Sequence, residues 1–182
     1  MAQAAEASSF IPVRIAVLTV SDTRTPETDK SGNTLAERIA EAGHALCDRS
    51  IVKDEIRAIR AQVRKWLKRE DVDVIISTGG TGLTGRDVTV EAMRALFEKE
   101  IEGFGVAFHM ISFQKIGVST VQSRATAGVA KGIYIFCLPG SPGACRDGWD
   151  GILKSQLDYR HMPCNFVEIM PRLDEHMRRR KG

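Results

Sequence analysis

With 182 residues, 43% hydrophobic and 27% charged, the chain has the size and mixture of one globular domain with a full core. A net charge of +3 is too mild to argue for nucleic acid, but it suits an anionic small ligand. No apolar run nears membrane length, no signal-peptide pattern is present, and Cys47, Cys137, Cys145 and Cys164 form neither a CxxC pair nor a zinc spacing with His44, His109, His161 or His176. A reducing cytoplasm is therefore the expected location.

Residues 1–11 are expected to be a flexible N-terminal segment, residues 12–170 a single domain, and 171–182 a tail whose basic run 178–181 is solvated. Val13 to Val20 reads as a first buried strand with Ser21-Asp22 at its carboxyl end, where ligands gather in open α/β sheets. Asp22 reads equally as a loop residue bonding its own turn. Ser31 or Asn33 can cap a helix carrying Leu35 and Ile39, which Gly43 ends. Ala45 to Val52 is a weaker second strand. Asp54 has the look of an N-cap for a helix with Ile56, Ile59, Val63 and Trp66, whose arginines and lysines from Arg57 to Arg69 form a solvated face.

Val72, Val74, Ile75 and Ile76 form a nearly continuous apolar, β-branched run, as a strand buried on both faces should. It ends in Ser77-Thr78-Gly79-Gly80-Thr81-Gly82, followed by Arg86-Asp87 and a helix opened by Thr89 with Glu91 in its first turn. Glycine N–H groups beside threonine hydroxyls can seat an anion, and the nearby carboxylate suggests a phosphorylated ligand with Mg²⁺. The same turn also reads as a plain strand-to-helix connection capped by Asp87. A short helix with Met93, Leu96 and Phe97 follows, then another from Glu102 through Ile116, and an extended segment from Ser123. Ile133 to Leu138 is a further buried strand, in which Cys137 reads as core. It ends in Pro139-Gly140-Ser141-Pro142-Gly143, with Ser141 as cap and Pro142 in the first turn of a helix bearing Cys145 and Trp149. Gly148 and Gly151 weaken that helix unless close packing requires them.

The alternation predicts an α/β/α sandwich with a mostly parallel sheet. Neither glycine-rich turn is a Walker loop, a GxGxxG fingerprint or a GxSxG elbow, so a serine hydrolase is disfavoured. Phosphoryl or nucleotidyl transfer, which needs alignment and charge neutralisation rather than a protein nucleophile, is compatible. A phosphate-ligand hydrolase would need a general base near the loop, for which Asp87 is the obvious candidate.

Thr78-Gly79-Gly80-Thr81-Gly82 with Arg86-Asp87-Val88-Thr89, then Gly103-Phe104-Gly105, Ser123-Arg124 and Leu138-Pro139-Gly140, resemble the MoaB/MogA molybdopterin-binding family. The order and spacing match from about Val13 to Phe166, and Gln122 to Ala125, Gly143 to Arg146 and Pro163 to Phe166 resemble its MoaB branch. The resemblance implies an α/β/α fold, a homotrimer or homohexamer, molybdopterin as ligand, and adenylylation of molybdopterin with Mg-ATP. It also implies cooperation with other molybdenum cofactor enzymes. It places two essential aspartates on Asp54 and Asp87, both toward Mg²⁺, and so competes with the reading of Asp54 as a cap. Ser21, Asp22, Thr78, Gly79, Gly80, Thr81, Gly82, Arg86, Glu91, Ser123, Arg124, Pro139, Gly140 and Ser141 would line the substrate and phosphate pocket. Three positions depart from the family pattern: Val90 replaces a proline, and Val106 and His109 replace a glutamate and an arginine. A molybdopterin-binding protein with weak or no transferase activity is the alternative that the last two raise.

Overall fold

Alternation along the strands divides the core into two layers. On β1 (Arg14–Val20), Ile15 and Val17 face one side while Ala16, Leu18 and Val20 face the other, as a side-chain period of two requires. The same division holds on β6 (Ile133–Leu138): Tyr134, Phe136 and Leu138 join the first layer, and Ile133, Ile135 and Cys137 the second. The computed structural model describes residues 9–178, with the side chain of Arg178 excepted.

Helix α1 (Lys30–Glu41) covers the first face through Leu35 and Ile39, with α4 (Glu102–Ile116) and α5 (Pro142–Gly148) beside it. The chain leaves α5 through a π-helical turn, Trp149–Leu153, into the short α6 (Lys154–Gln156). Helices α2 (Ile56–Trp66) and α3 (Thr89–Arg94) cover the second face through Ile59, Val63, Trp66, Ala92 and Met93. The expected α/β/α sandwich is therefore the fold. Two short helices, α7 (Phe166–Ile169) and α8 (Glu175–Arg178), close the described chain. Among the described residues no helix is long and apolar enough to cross a membrane.

The sheet order is β2-β1-β3-β6-β5-β4, with β2 (Ala45–Val52), β3 (Val74–Thr78), β4 (Lys99–Glu100) and β5 (Thr126–Ala130). The β2, β1, β3 and β6 strands run parallel, so their carboxyl ends share one edge. From β1 the chain moves outward to β2, then crosses back to β3 on the other side of β1. The crevice between β1 and β3 is thus a topological switch point, where open α/β sheets bind ligands. The antiparallel β5–β6 pairing and the two-residue β4 complete the sheet. The charged Lys-Glu pair of β4 lacks a sequence signature; it pairs with Val129 and Gly128, and Arg94 and Thr126 hold the Glu100 carboxylate.

Several local expectations change. Helix α1 is capped not by Ser31 or Asn33 but by Asp29, whose carboxylate accepts from Gly32 N–H at 2.9 Å. Asp29 is 1% exposed and also takes Thr19 Oγ1 at 2.7 Å and Arg49 Nη2 at 2.7 Å, partners from other strands. At α2 the cap position is Glu55, with no side-chain cap bond, so Asp54 does not cap that helix. Helix α3 ends at Arg94, and Phe97 lies beyond it against the backbone of Gly128. The basic face of α2 is only partly solvated: Arg60 donates to the carbonyls of Glu91 and Ala92 at the end of α3, and just past the helix Arg69 binds Asp48 and Asp71.

Other readings stand. Ser141 caps α5 by accepting from Ala144 N–H, with Pro142 in the first turn. A Cβ on Gly148 would lie 2.4 Å from Leu138, so close packing selects that glycine, whereas one on exposed Gly151 would meet only the side-chain end of Ile111, at 2.6 Å. Phe10 packs on the His44 ring at 5.0 Å, and the Arg160 guanidinium lies over the Phe10 ring at 5.1 Å. Residues 1–8 and 179–182, including most of the basic terminal run, lie outside the described residues.

Candidate functional site

Four parallel strands deliver the loops of the site. Ser21-Asp22 leaves β1, Lys53-Asp54 leaves β2, Gly79 to Gly82 leaves β3, and Pro139 to Ser141 leaves β6. The glycine loop can follow its path only without side chains. Gly79 has φ +100° and a Cβ there would lie 2.3 Å from the Val20 carbonyl oxygen. Gly80, at φ +66°, would place a Cβ 2.3 Å from Thr89 Oγ1 and 3.2 Å from Asp54 Oδ1. Thr89 holds the loop from beneath: its N–H donates to Gly80 O at 3.0 Å and its hydroxyl to Gly79 O at 2.8 Å. The hydroxyl of Thr78 donates to Pro139 O at 2.9 Å, and that of Ser31 to Gly140 O at 2.9 Å, which ties the second glycine turn to the first.

The two aspartates flank this loop. Asp54 touches the Gly80 position and Asp87 the Gly82 position, where a Cβ would meet Asp87 Oδ2 at 2.8 Å. The alternative reading of Asp87 as a helix cap falls away, because Val88 occupies the cap position of α3 and Asp87 Oδ2 instead accepts from Thr84 N–H at 2.9 Å and Thr84 Oγ1 at 2.6 Å. Burial alone would raise the Asp87 carboxyl, but the bonds from Thr84 and Gly82 and the charge of Arg124 outweigh it and hold it below the usual range. Asp54 goes the other way. Burial and then the negative charge of Asp22 push it up, Asp87 adds to this, and Arg86 only partly offsets it. The two carboxyls around this one loop are thus displaced in opposite directions.

Asp22 links the loops. One of its oxygens accepts from Asp54 N–H at 3.2 Å, and the other takes Arg86 Nε at 3.0 Å and Nη2 at 2.6 Å. The Arg86 pairing holds the Asp22 carboxyl below its ordinary value. Ser21 accepts from the N–H groups of Thr23 and Arg24 and so shapes its own turn. Beyond it opens a cleft of about 670 Å³ lined by Arg24, Arg49, Ile51 and Lys53 as well as Ser21 and Asp22. The sequence reading passed over Arg24 and Lys53, although both stand next to residues it marked.

Arg124 is committed to the scaffold. Its Nε donates to Gly82 O at 2.9 Å and Nη2 to Asp87 O at 3.0 Å, while Nη1 pairs with Glu91. Its own N–H donates to Thr81 O at 3.0 Å. Arg124 and Glu91 thus brace the loop from behind. Ser123 lends its carbonyl oxygen to His109 Nε2 at 2.9 Å, and His109 Nδ1 lies 2.6 Å from Gly105 O. Val106 is 61% exposed on the outer face of α4. Helix α3 spans only Thr89–Arg94 and is separated from the glycine loop by Leu83 to Val88, so any anion is held by loop amides rather than by the helix start.

A three-layer sandwich with a braced glycine loop and two aspartates at its switch point presents the edge at which open α/β sheets bind ligands. Residues 16–159 match the family described as "Probable molybdopterin binding domain". The chain is 54% identical over 159 residues to molybdenum cofactor biosynthesis protein B of Escherichia coli K12, covering 87% of this chain and 94% of that one. It is 47% identical over 148 residues to the protein of the same name from Bacillus anthracis, covering 81% and 88%. A crystal structure of a molybdenum cofactor biosynthesis protein B superposes with TM-score 0.83 at 42% identity, covering 92% of this chain and 99% of the other. The tungsten cofactor synthesizing protein MoaB of Pyrococcus furiosus gives 0.72 at 35% identity, covering 80% and 92%. The chain belongs to the MoaB branch of the MoaB/MogA molybdopterin-binding family, whose members named here are proteins of molybdenum or tungsten cofactor synthesis.

Proposed function

We propose that this protein binds molybdopterin and adenylylates it with Mg-ATP in molybdenum cofactor biosynthesis, in the cytoplasm. The observation that carries this reading is the placement of Asp54 and Asp87 against Gly80 and Gly82 of one loop. In the reaction, the terminal phosphate oxygen of molybdopterin bonds to the α-phosphorus of ATP while the bond from that phosphorus to the β-phosphate bridge breaks, giving adenylyl-molybdopterin and pyrophosphate. The amides of Gly80 and Thr81, which find no acceptor among the described residues, are available to fix the phosphate in line.

The residues fit a divalent cation of the magnesium type. Asp54 sits in negative surroundings that Arg86 only partly compensates, yet among the described residues no group of three or more His, Cys, Asp or Glu is arranged to hold a metal. The remaining coordination would come from phosphate oxygens and water, as is usual for Mg²⁺. Asp54 and Asp87 would hold it, and when bound it supplies charge neutralisation at the phosphates. Incubation with molybdopterin, ATP and Mg²⁺ should yield adenylylated pterin and pyrophosphate in equal amounts. Pterin retention without either product would leave only the binding-protein reading. That second reading is favoured by one observation: both ring nitrogens of His109 face backbone carbonyls, so it offers no phosphate contact in place of the family's arginine.

We also assign the exposed apolar face of α4 and the following 3-10 turn to self-association as a trimer or hexamer. Val106, Met110, Phe113, Ile116, Val118 and Val121 are each more than half exposed there. A contiguous surface of this kind is unusual on a monomer.

A further inference from the structure

We infer that Arg86 is the loop's mobile phosphate-reaching cation and that Asp22 latches it across the mouth of the crevice until an anion displaces it. The inference rests on the phosphate-seat reading above and adds a positioning residue to it.

Of the two arginines at the glycine loop, Arg124 has no free role, because its guanidinium is spent on Gly82 O, Asp87 O and Glu91. From Thr78 to Val88 the only basic residue is Arg86. A guanidinium contact from this loop to a bound phosphate must therefore come from Arg86. At present Asp22 holds it through Nε and Nη2, a two-point pairing that joins the β1 end to the loop after β3. The pair spans the switch-point crevice, so the carboxylate of Asp22 faces any anion that would enter.

The pair is easily exchanged. The side chains are 62% and 38% exposed, and exposed ion pairs contribute little net stability. A phosphate offers the same planar donor set a better match, with two charges in place of one. Phosphate arrival then trades one charge-assisted pairing for a stronger one, and Asp22 keeps its bond from Asp54 N–H. No covalent step is involved.

Pyrophosphate titrated calorimetrically, without divalent cation, tests the latch. Asp22→Asn should bind tighter than the unsubstituted protein by up to about fivefold, the upper end of what releasing an exposed pair allows. Arg86→Gln should bind more weakly, and Asp22→Asn should give no gain on the Arg86→Gln background. A gain that persists on that background means that Asp22 merely repels the anion, and overturns the latch. No tightening in Asp22→Asn, or no pyrophosphate binding by either protein, overturns it too. As a measurement free of substitution, the Arg86 side-chain Nε–H resonance should shift at saturating pyrophosphate; an unmoved resonance counts against the latch. Failure of adenylyl transfer with a working latch refutes the proposed reaction alone. Transfer without the Asp22→Asn effect refutes the latch alone.

Discussion

Asp54 and Asp87 face the same loop with opposite displacements of their carboxyl equilibria, and their substitution should separate chemistry from binding. Asp54→Ala and Asp87→Ala are each expected to lower adenylylation turnover by about two orders of magnitude or more, the range for losing one electrostatic contribution at a reacting phosphate. Pterin affinity should change far less, because the loop amides remain. Measuring both on each variant decides it, and unchanged turnover would remove that aspartate from the mechanism. Asp29 makes a structural counterpart. Burial would raise its carboxyl, but Arg49, Thr19 and Gly32 N–H hold it below the ordinary value. Its contribution is thus fully present above the unfolded carboxyl value and is lost as pH falls through the lower folded one. Asp29→Ala should cost about 2–4 kcal/mol at pH 7, for a lost cap and an unpaired Arg49. Its melting temperature should fall less steeply than that of the parent through the acid range. At this scale the sequence was informative about residue type but not about partners. Asp87 stood out beside Arg86, whereas Arg124 looked like a pocket cation until β5 carried it behind the loop. Asp29 was passed over because Arg49 and Thr19 reach it from distant strands.

Among the elements, the two glycines of the α5 region differ in the space around them. Gly148 is buried, and a Cβ would meet the packed side chain of Leu138 at 2.4 Å. Gly151 is exposed, and its Cβ would meet only the tip of Ile111, a half-buried side chain with room to turn. Gly148→Ala should therefore destabilise by roughly 1–2 kcal/mol, overpacking outweighing the helix propensity gained. Gly151→Ala should fall within about 1 kcal/mol of neutral. Chemical denaturation of both variants checks the contrast, and equal losses would contradict it. The strands are the most legible elements: β6 follows its apolar run residue for residue, and β2 keeps its expected bounds despite Asp48, Arg49 and Ser50. Helix starts are less so: the α1 cap, Asp29, is fixed by Thr19 and Arg49, and α2 starts at Glu55 with no side-chain cap at all. The π-helical turn after Gly148 and the charged β4 have no local pattern that distinguishes them.

At the level of the whole molecule, the fold followed from alternation and from two glycine turns at strand ends, which together fix a parallel sheet and its binding edge. The α4 surface was harder to read, because a helix apolar all round gives no facing direction. Phe104 and Phe108 turn inward while Met110 and Phe113 turn out. Mass measurement in solution should give a trimer or a multiple of it, and Phe113→Glu should shift it toward the monomer without loss of helix content. A monomeric parent protein would refute the assignment.

The bracing of the glycine loop by Arg124, Glu91 and Thr89 also bears on how quickly a guest is captured. A cradle whose walls stand before anything arrives forfeits little disorder on filling, so encounter by diffusion sets the pace rather than any refolding of the rim. Salt in the surrounding medium, which weakens the pull between charges, would then slow capture more than it speeds escape.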